Sequence, residues 1–241
     1  SQLPEKVIIL QQSLWTMISR LTAASNLLKN GRCTFYSSNR IIRRGRGRRQ
    51  QCNAAPGIAT AAAAIEMQVP NVHSDAFVAK GAILVQNVKV GERSSIWYNS
   101  VLRGDVASIE IGRNTNIQDG TVIHVASEQQ GTKGKLNTII GDGVTVGHMA
   151  LLHACKIEDN AFVGMKACVM DGAVVRSHGM LAAGALLTPG KIVGGGELWA
   201  GQPAKLMRKL TEKEIENIYN SAENYAILAA CYRQNLLTEF K

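Results

Sequence analysis

The feature that most restricts how this chain can fold is a six-residue repeat of aliphatic side chains that begins at Val72. The spacing of six is interrupted by insertions after Leu102 and Ile123, and one residue is missing before Ile157 and again before Ile192. All twenty positions are Val, Ile or Leu: Val72, Val78, Leu84, Val90, Ile96, Leu102, Ile111, Ile117, Ile123, Ile140, Val146, Leu152, Ile157, Val163, Val169, Val175, Leu181, Leu187, Ile192 and Leu198. A helix repeats every 3.6 residues and a flat amphipathic strand every two, so neither explains this period.

A sustained period of six is typical of a hexapeptide β-solenoid, in which each hexad forms one short strand and three hexads form a triangular coil. We therefore predict an all-β solenoid over residues 71–205, with roughly six to seven coils and the aliphatic side chains stacked inside. The composition agrees, because 46% of the residues are hydrophobic but only 5% are aromatic. Glycine often follows the aliphatic position, where a corner favours a residue without a side chain.

The segment after the repeat, residues 206–241, is predicted to contain a helix. Thr211 followed three residues later by Glu214 is a capping box, which marks a helix start. Beyond it, apolar residues recur at intervals of three and four: Ile215, Ile218, Tyr219, Ala222, Tyr225, Ala226 and Ala229. We expect this stripe to pack on the outside of a solenoid, either its own or a neighbour's.

Residues 1–70 read as a basic extension, with ten Lys or Arg against two acidic residues, which accounts for +8 of the net charge of +9. Apolar residues at helical spacing predict an amphipathic helix within residues 3–28, and six arginines fall within residues 40–49. An Arg-rich, Ser-containing, acid-poor segment resembles an organellar transit peptide, and solvated tails or nucleic-acid-binding arms have similar charge. Few aromatic residues lie among the arginines, so we expect no nucleic-acid partner.

The five cysteines are scattered and form no CxxC pair, which favours a reducing compartment over a disulfide framework. No apolar run reaches the ~18 residues that a membrane-spanning helix needs.

Three of the five histidines fall within residues 121–153. His124 and His153 each follow an aliphatic position on the third face, so the repeat places them in adjacent coils, ~4.8 Å apart. Two imidazoles at that separation can share a Zn²⁺ with N–Zn distances of ~2.0–2.1 Å. His148 falls on the second face, and a threefold assembly would bring it to the histidine pair of the next chain. His73 and His178 have no such register and are interpreted as surface residues.

Two further groups lie near these histidines. Arg103 and Asp105 occupy a corner one coil before His124, where they form either a solvated pair of little energetic value or a lock at a subunit interface. Gln118 and Asp119 occupy the matching positions after Ile117, and Gln118 therefore faces the corner where His148 should lie one coil later. An amide and a carboxylate beside a metal suit the orientation of a bound water.

The chain resembles the gamma-class carbonic anhydrases in four stretches: RGDVASIEIGRNTNIQDGTVIH, TIIGDGVTVGHMALLHACKIEDNAFVGM, GELWAGQPAKLMRKLT and SAENYAILA. The resemblance is strongest to members built into mitochondrial NADH dehydrogenase (respiratory complex I) of plants, algae and protists. It implies a left-handed parallel β-helix, a trimer, and reversible hydration of CO₂ to bicarbonate at a Zn²⁺ ion. That ion would lie between subunits, on His124 and His153 of one chain and His148 of another.

The same resemblance implies roles for the other site residues. Arg103 and Asp105 would form an intersubunit pair, and Gln118 would contact the zinc-bound water or bicarbonate. Asn116 and Asp119 would support that contact. Tyr225 would reach the pocket from the C-terminal helix.

Two departures from the family bear on catalysis. Archaeal members carry glutamates that transfer protons at the positions of Val106 and Ser127, and Glu128 is one place removed. We therefore expect intact metal binding with reduced turnover. A purely structural assembly subunit and a hexapeptide-repeat acyltransferase are the alternatives.

The resemblance also predicts where the protein works. We expect it on the matrix side of the mitochondrial inner membrane, with homologous gamma carbonic anhydrase subunits and membrane-arm subunits of complex I as partners. Anionic lipid would contact the N-terminal arginines.

Overall fold

The structure is a computed structural model that describes residues 69–127 and 136–234. The predicted amphipathic helix and arginine cluster of the extension, and Glu128, lie outside these residues. The described strands are β1 Asn71–Val72, β2 Phe77–Val78, β3 Ile83–Val90, β4 Ser95–Ile96, β5 Val101–Ile111, β6 Asn116–Ile117, β7 Val122–His124, β8 Thr138–Ile140, β9 Thr145–Val146, β10 Leu151–His153, β11 Lys156–Ile157, β12 Phe162–Val163, β13 Cys168–Val169, β14 Val174–Val175, β15 Met180–Leu181, β16 Leu186–Leu187, β17 Ile192–Val193, β18 Glu197–Gly201 and β19 Ala204–Lys209. The helix α1 follows at Glu212–Arg233.

These strands form a parallel β-solenoid of about seven turns, which confirms the fold predicted from the repeat. Each strand pairs in parallel with its counterpart one coil away, and the antiparallel β18–β19 hairpin ends the stack. Strands β3 and β5 are long enough to cross a corner, so two faces join into an 11-stranded sheet and the third is an 8-stranded sheet. Most of the aliphatic positions form the core, and Ile96, Leu102, Ile117 and Ile123 have no solvent exposure, whereas Val72 and Val78 at the start of the stack are partly exposed.

The register at the end of the repeat differs from the sequence prediction. Val193, rather than Ile192, pairs with Val175 and is fully buried, while Ile192 is 45% exposed. One strand later, Trp199 pairs with Leu181 where Leu198 was expected. The spacing of six therefore continues without a missing residue. The prediction was wrong because Ile192 and Val193 are both aliphatic and spacing alone does not separate them.

Small residues fill the corners between strands, and several of them in the early coils carry hydroxyl groups. Ser94, Ser100, Thr115 and Thr121 are buried, and each donates its hydroxyl to a backbone carbonyl of the next coil at 2.6–3.1 Å. These bonds satisfy polar groups that would otherwise be costly to bury. Glycine is needed at some corners because coils approach closely: a Cβ at Gly91 would lie 2.5 Å from a carbonyl oxygen.

Helix α1 packs on its own chain's solenoid, against β2, β4, β6 and β9. The predicted capping box is present, with Thr211 accepting from the Glu214 backbone. The helix buries mainly small side chains on the solenoid: Ile218, Ala222, Ala226 and Ala229. Among the predicted stripe residues, Tyr219 is instead 45% exposed. No helix among the described residues is long and apolar enough to cross a membrane.

Candidate metal centre

The centre of the candidate site is a stacked histidine pair on two adjacent coils. Strands β7 and β10 pair with His124 opposite His153, as the repeat predicts. The facing ring nitrogens, Nδ1 of His124 and Nε2 of His153, lie 3.2 Å apart. Two nitrogens bound to one tetrahedral Zn²⁺ at ~2.0–2.1 Å would be separated by about 3.3 Å. The pair therefore has the spacing that two zinc ligands need.

Each ring of this pair is held from behind by a carboxylate. Nε2 of His124 lies 3.0 Å from Oδ1 of Asp105, one coil earlier. Nδ1 of His153 lies 2.5 Å from Oδ1 of Asp171, one coil later. Histidines that bind metals commonly direct their second nitrogen to a carboxylate, which fixes the ring and the tautomer. The donor set thus fits a metal such as zinc.

Asp105 also forms an ion pair with Arg103 of the same chain. Burial raises the pKa of Asp105, but the hydrogen bonds with His124 and Arg103 outweigh it, so the pKa lies below its usual value. The carboxylate is therefore ionised at neutral pH and can accept from the imidazole. Within one chain, Arg103 and Asp105 pair with each other, and their contact across a subunit boundary remains a prediction.

His148 lies on the second face, as the repeat predicts, and its carboxylate partner is Asp119. Nδ1 of His148 lies 2.8 Å from Oδ2 of Asp119, and the other oxygen of Asp119 accepts from the Tyr98 backbone at 3.1 Å. The described part of a single chain contains no group of three His, Cys, Asp or Glu side chains arranged to hold a metal.

Gln118 lies beside Asp119, and a chain of polar contacts fixes its amide. Gln118 Nε2 donates to Asn116 Oδ1 at 3.1 Å, and Asn116 Nδ2 donates to Thr145 Oγ1 at 2.9 Å. The Thr145 hydroxyl lies 3.1 Å from the Ser221 hydroxyl on α1. The bond from Nε2 to Asn116 fixes the orientation of the Gln118 amide. The sequence reasoning missed Thr145 and Ser221, since no repeat position links the helix to this network.

Tyr225 is a half-buried residue of α1, edge-on to Trp97 of the solenoid with 5.6 Å between ring centroids. Burial, with a smaller contribution from the negative charge of Asp119, raises its pKa to about 12. Its hydroxyl therefore stays protonated at neutral pH. The structure thus collects Asn116, Gln118, Asp119, His148 and Tyr225 on one face.

The predicted site residues therefore form two groups on different faces of one chain. The first group contains Arg103, Asp105, His124 and His153, and the structure adds Asp171, which sequence reasoning missed. The sequence did contain a signal for Asp171. One residue is missing in the corner after His153, so the stacked corner that contains Asp171 is one residue longer. The second group lies on the face that carries His148 and also contains Asn116, Gln118, Asp119 and Tyr225.

The structure also describes Val106 and Ser127, the two positions at which the resemblance implies proton-transfer glutamates. Val106 packs against the hydrophobic core. Ser127 is exposed at the end of the described segment.

Comparison of the sequence with known proteins finds several carbonic anhydrases among its relatives. No family model matches it. Gamma carbonic anhydrase 2, mitochondrial, of Arabidopsis thaliana is 53% identical over 161 residues, which are 66% of this chain and 57% of that protein. The match thus spans less than two thirds of the plant protein. A carbonic anhydrase of Geobacillus kaustophilus is 37% identical over 166 residues, 69% of this chain and 87% of that protein.

Among solved structures, a hexapeptide transferase family protein from Anaplasma phagocytophilum is 52% identical with a TM-score of 0.63. The match covers 68% of this chain and 92% of that one. A β-solenoid alone would be compatible with several activities. The sequence similarity to carbonic anhydrases, over most of the length of the Geobacillus protein, shows that this chain belongs to the gamma carbonic anhydrase family.

Proposed function

We propose that this chain is a carbonic anhydrase subunit whose zinc site is completed by a second subunit. His124 and His153 of one subunit and His148 of its neighbour would hold the ion. Gamma carbonic anhydrases are metal enzymes. The observation that carries the proposal is the pair of facing nitrogens 3.2 Å apart, with a carboxylate behind each ring. This arrangement presents two lone pairs to one point in space.

The surface around the histidine pair supports assembly with a chain of the same fold. The outward positions two residues before Arg103, His124 and His153 belong to an apolar ladder that runs along the third face: Ile83, Val101, Val122, Leu151, Cys168 and Leu186. Ile83, Val122 and Leu151 are 52%, 39% and 37% exposed in the single chain. An apolar strip beside a half-built site is suited to burial against another subunit. A homotrimer and a trimer with related gamma carbonic anhydrase subunits are both consistent with this surface.

When bound, Zn²⁺ would supply Lewis acidity, which lets a water molecule lose a proton near neutral pH and so become a nucleophile for CO₂. The residues of the chain orient the other reactants. Gln118 donates through Nε2 to Asn116, which orients its amide, and its carbonyl oxygen can accept a hydrogen bond from a reactant. The Tyr225 hydroxyl stays protonated at neutral pH, so it can donate a hydrogen bond to a reactant. Asp119 holds His148, as Asp105 holds His124.

Proton transfer out of the site is where this chain differs from archaeal members. With Val106 packed on the core and serine at position 127, neither position supplies a carboxylate. We propose that turnover is consequently slow. The subunit would then contribute to the assembly of a larger complex as well as to catalysis. An acyltransferase activity is the second candidate, since the Anaplasma relative is named a hexapeptide transferase family protein.

We further propose a location on the matrix side of the mitochondrial inner membrane, as part of respiratory complex I. The plant relatives are named mitochondrial gamma carbonic anhydrases. The motifs around Arg103, Gln118 and His124 resemble the members found in that complex. The basic extension, with +8 of the net charge, fits a peripheral contact with anionic headgroups or acidic subunits.

The experiment that tests the shared site mixes two inactive variants. One variant carries His148→Ala and keeps the histidine pair, and the other carries His124→Ala with His153→Ala and keeps His148. Neither should retain zinc alone. A trimer that contains both should regain one complete site, because the pair of one subunit then meets His148 of the other.

Zinc content and stopped-flow CO₂ hydration of the purified mixed trimer measure this outcome. A mixed trimer that binds no zinc, although the wild-type trimer does, would show that the site is not shared in this way. Wild-type protein that lacks hydration activity but cleaves acetyl-CoA would favour the acyltransferase. Zinc binding without either activity would indicate an assembly subunit.

A further inference from the structure

The carboxylate of Asp171 contacts the ring of His153 on the side opposite His124, and none of the motifs that identify the family site includes it. Its Oδ1 lies 2.5 Å from Nδ1 of His153. Both side chains are mostly buried, with 22% and 29% of their surface exposed. The contact is therefore shielded from water on most sides.

The backbone explains why an aspartate can reach this ring. The spacing from Leu152 to Ile157 is five residues, whereas the stacked spacing from Val169 to Val175 is six, so the later corner holds one extra residue. Gly172 N donates to Ala154 O at 2.8 Å, which fixes the later corner directly against the earlier one. Gly172 has φ +68°, a conformation that L side chains rarely adopt. Asp171, immediately before it, is thereby directed to His153.

The consequence of this contact is a defined orientation of the imidazole. When Nδ1–H donates to a carboxylate, the lone pair of Nε2 remains for a metal. In this chain Nε2 of His153 is the atom that faces Nδ1 of His124 at 3.2 Å. Asp105 contacts the opposite end of the pair, from the coil before His124. The two stacked rings thus lie between two carboxylates, and the four side chains come from four successive coils.

We propose that Asp171 is a positioning residue of the metal centre, which fixes the tautomer and ring orientation of His153 so that Nε2 is presented to zinc. This proposal rests on the proposed function, since it assigns His153 as a ligand. Asp171 itself does not bind the ion.

The test compares Asp171→Asn with a matched control, Asp142→Asn. Asp142 is also a corner aspartate, and it forms an exposed ion pair with Arg113 at 2.9 Å, on a corner that carries none of the proposed metal ligands. Zn²⁺ affinity of the full-length protein is measured by competition with a chromophoric chelator. We expect Asp171→Asn to weaken zinc binding by about 10–100-fold, the usual effect of losing such a partner. The control should bind as the wild type does.

Two further measurements separate orientation from general folding. Long-range ¹H–¹⁵N NMR of the metal-free wild-type protein should show His153 protonated at Nδ1, and Asp171→Asn should lose this preference. Asp171→Glu keeps the carboxylate and should recover part of the zinc affinity. The absorption spectrum of the Co²⁺-loaded protein should change in Asp171→Asn more than in Asp171→Glu.

The possible failures point to different ideas. If wild-type protein binds zinc and Asp171→Asn binds it equally well, Asp171 has no positioning role and the proposed function stands. If the metal-free wild type carries the proton on Nε2 of His153, the proposal is overturned even where the Asn variant does not fold. If the wild type binds no Zn²⁺ and His153 is nevertheless protonated at Nδ1, the orientation stands and the zinc assignment fails.

Discussion

At the scale of single residues, what distinguishes the histidines of this chain is the group behind each ring. His124, His148 and His153 each have a carboxylate oxygen within 3.0 Å of one ring nitrogen. His178 instead contacts the Tyr219 hydroxyl, and His73 Nδ1 accepts from a backbone N–H at 3.1 Å. A carboxylate accepts the proton of one ring nitrogen and leaves the lone pair of the other nitrogen for a metal, whereas the lone pair of His73 Nδ1 is already used by a backbone N–H. The structure therefore separates the three proposed ligands from the two histidines interpreted as surface residues.

The position of Ser127 leads to a prediction about proton transfer. Because Ser127 is exposed and lies three residues after His124, Ser127→Glu restores a carboxylate where archaeal members have one without disturbing the core. General acid–base groups contribute ~10²-fold or more, so we expect roughly tenfold faster CO₂ hydration in dilute buffer. Stopped-flow measurements with and without added imidazole test this. Imidazole should accelerate the wild type more than the variant.

Ser127→Gln is the matched control, because it has similar size and no titrating group. It should hydrate CO₂ at the wild-type rate and be rescued by imidazole to the same degree. A wild type that is already fast and insensitive to imidazole would show that proton transfer does not limit turnover.

At the scale of strands and helix, the sequence predicted the strand pairings that follow from the repeat. It missed side-chain contacts between corners of unequal length and between the helix and the solenoid. The pairing of His124 with His153 followed from aliphatic spacing, because one inward position per hexad fixes the outward ones. Spacing failed at Ile192, where two adjacent aliphatic residues fit equally well. It also could not find Asp171 or Ser221, since a corner of unequal length and a helix–sheet contact decide their partners.

The start of helix α1 should respond to acid. Hydrogen bonds from Arg208, with smaller ones from Thr211, lower the pKa of Glu214 from 4.5 to about 2. A lowered pKa in the folded state means that the ionised form contributes stability above pH 4.5, and that this contribution is lost as pH falls from 4.5 towards 2. Arg208 is 46% exposed, so solvent screens the pair and its contribution should not exceed about 1 kcal/mol.

Glu214→Gln tests this, because glutamine keeps the capping bonds but not the charge. At pH 7 we expect the metal-free variant to melt roughly 2–4 °C below the wild type. The difference should shrink as both are compared at pH 4, 3 and 2.5. Thermal melts that differ by the same amount at every pH would contradict the assigned role of the charge.

At the scale of the whole molecule, one chain presents the two groups of proposed site residues on different faces. Rotational symmetry is the simplest operation that brings the histidine pair of one chain to His148 of another, and the apolar ladder beside the pair gives that contact area. All five histidines lie within residues 69–234, as does α1. The N-terminal extension contains no histidine, so we expect its function to be separable from zinc binding.

The last prediction concerns that extension. Removing residues 1–60 should leave a soluble, zinc-binding trimer that no longer migrates with the large respiratory complex on native gels. If anionic headgroups provide the contact, each arginine contributes about 1 kcal/mol, and replacing the six arginines of residues 40–49 by glutamine should release the trimer as truncation does. Replacing the same six by lysine keeps the charge and is the control, which should stay bound to vesicles containing anionic lipid at low salt. If lysine releases the trimer as glutamine does, paired guanidinium contacts with an acidic protein surface explain the association better than lipid. A truncated trimer that still migrates with the complex would show that the solenoid itself makes the contact.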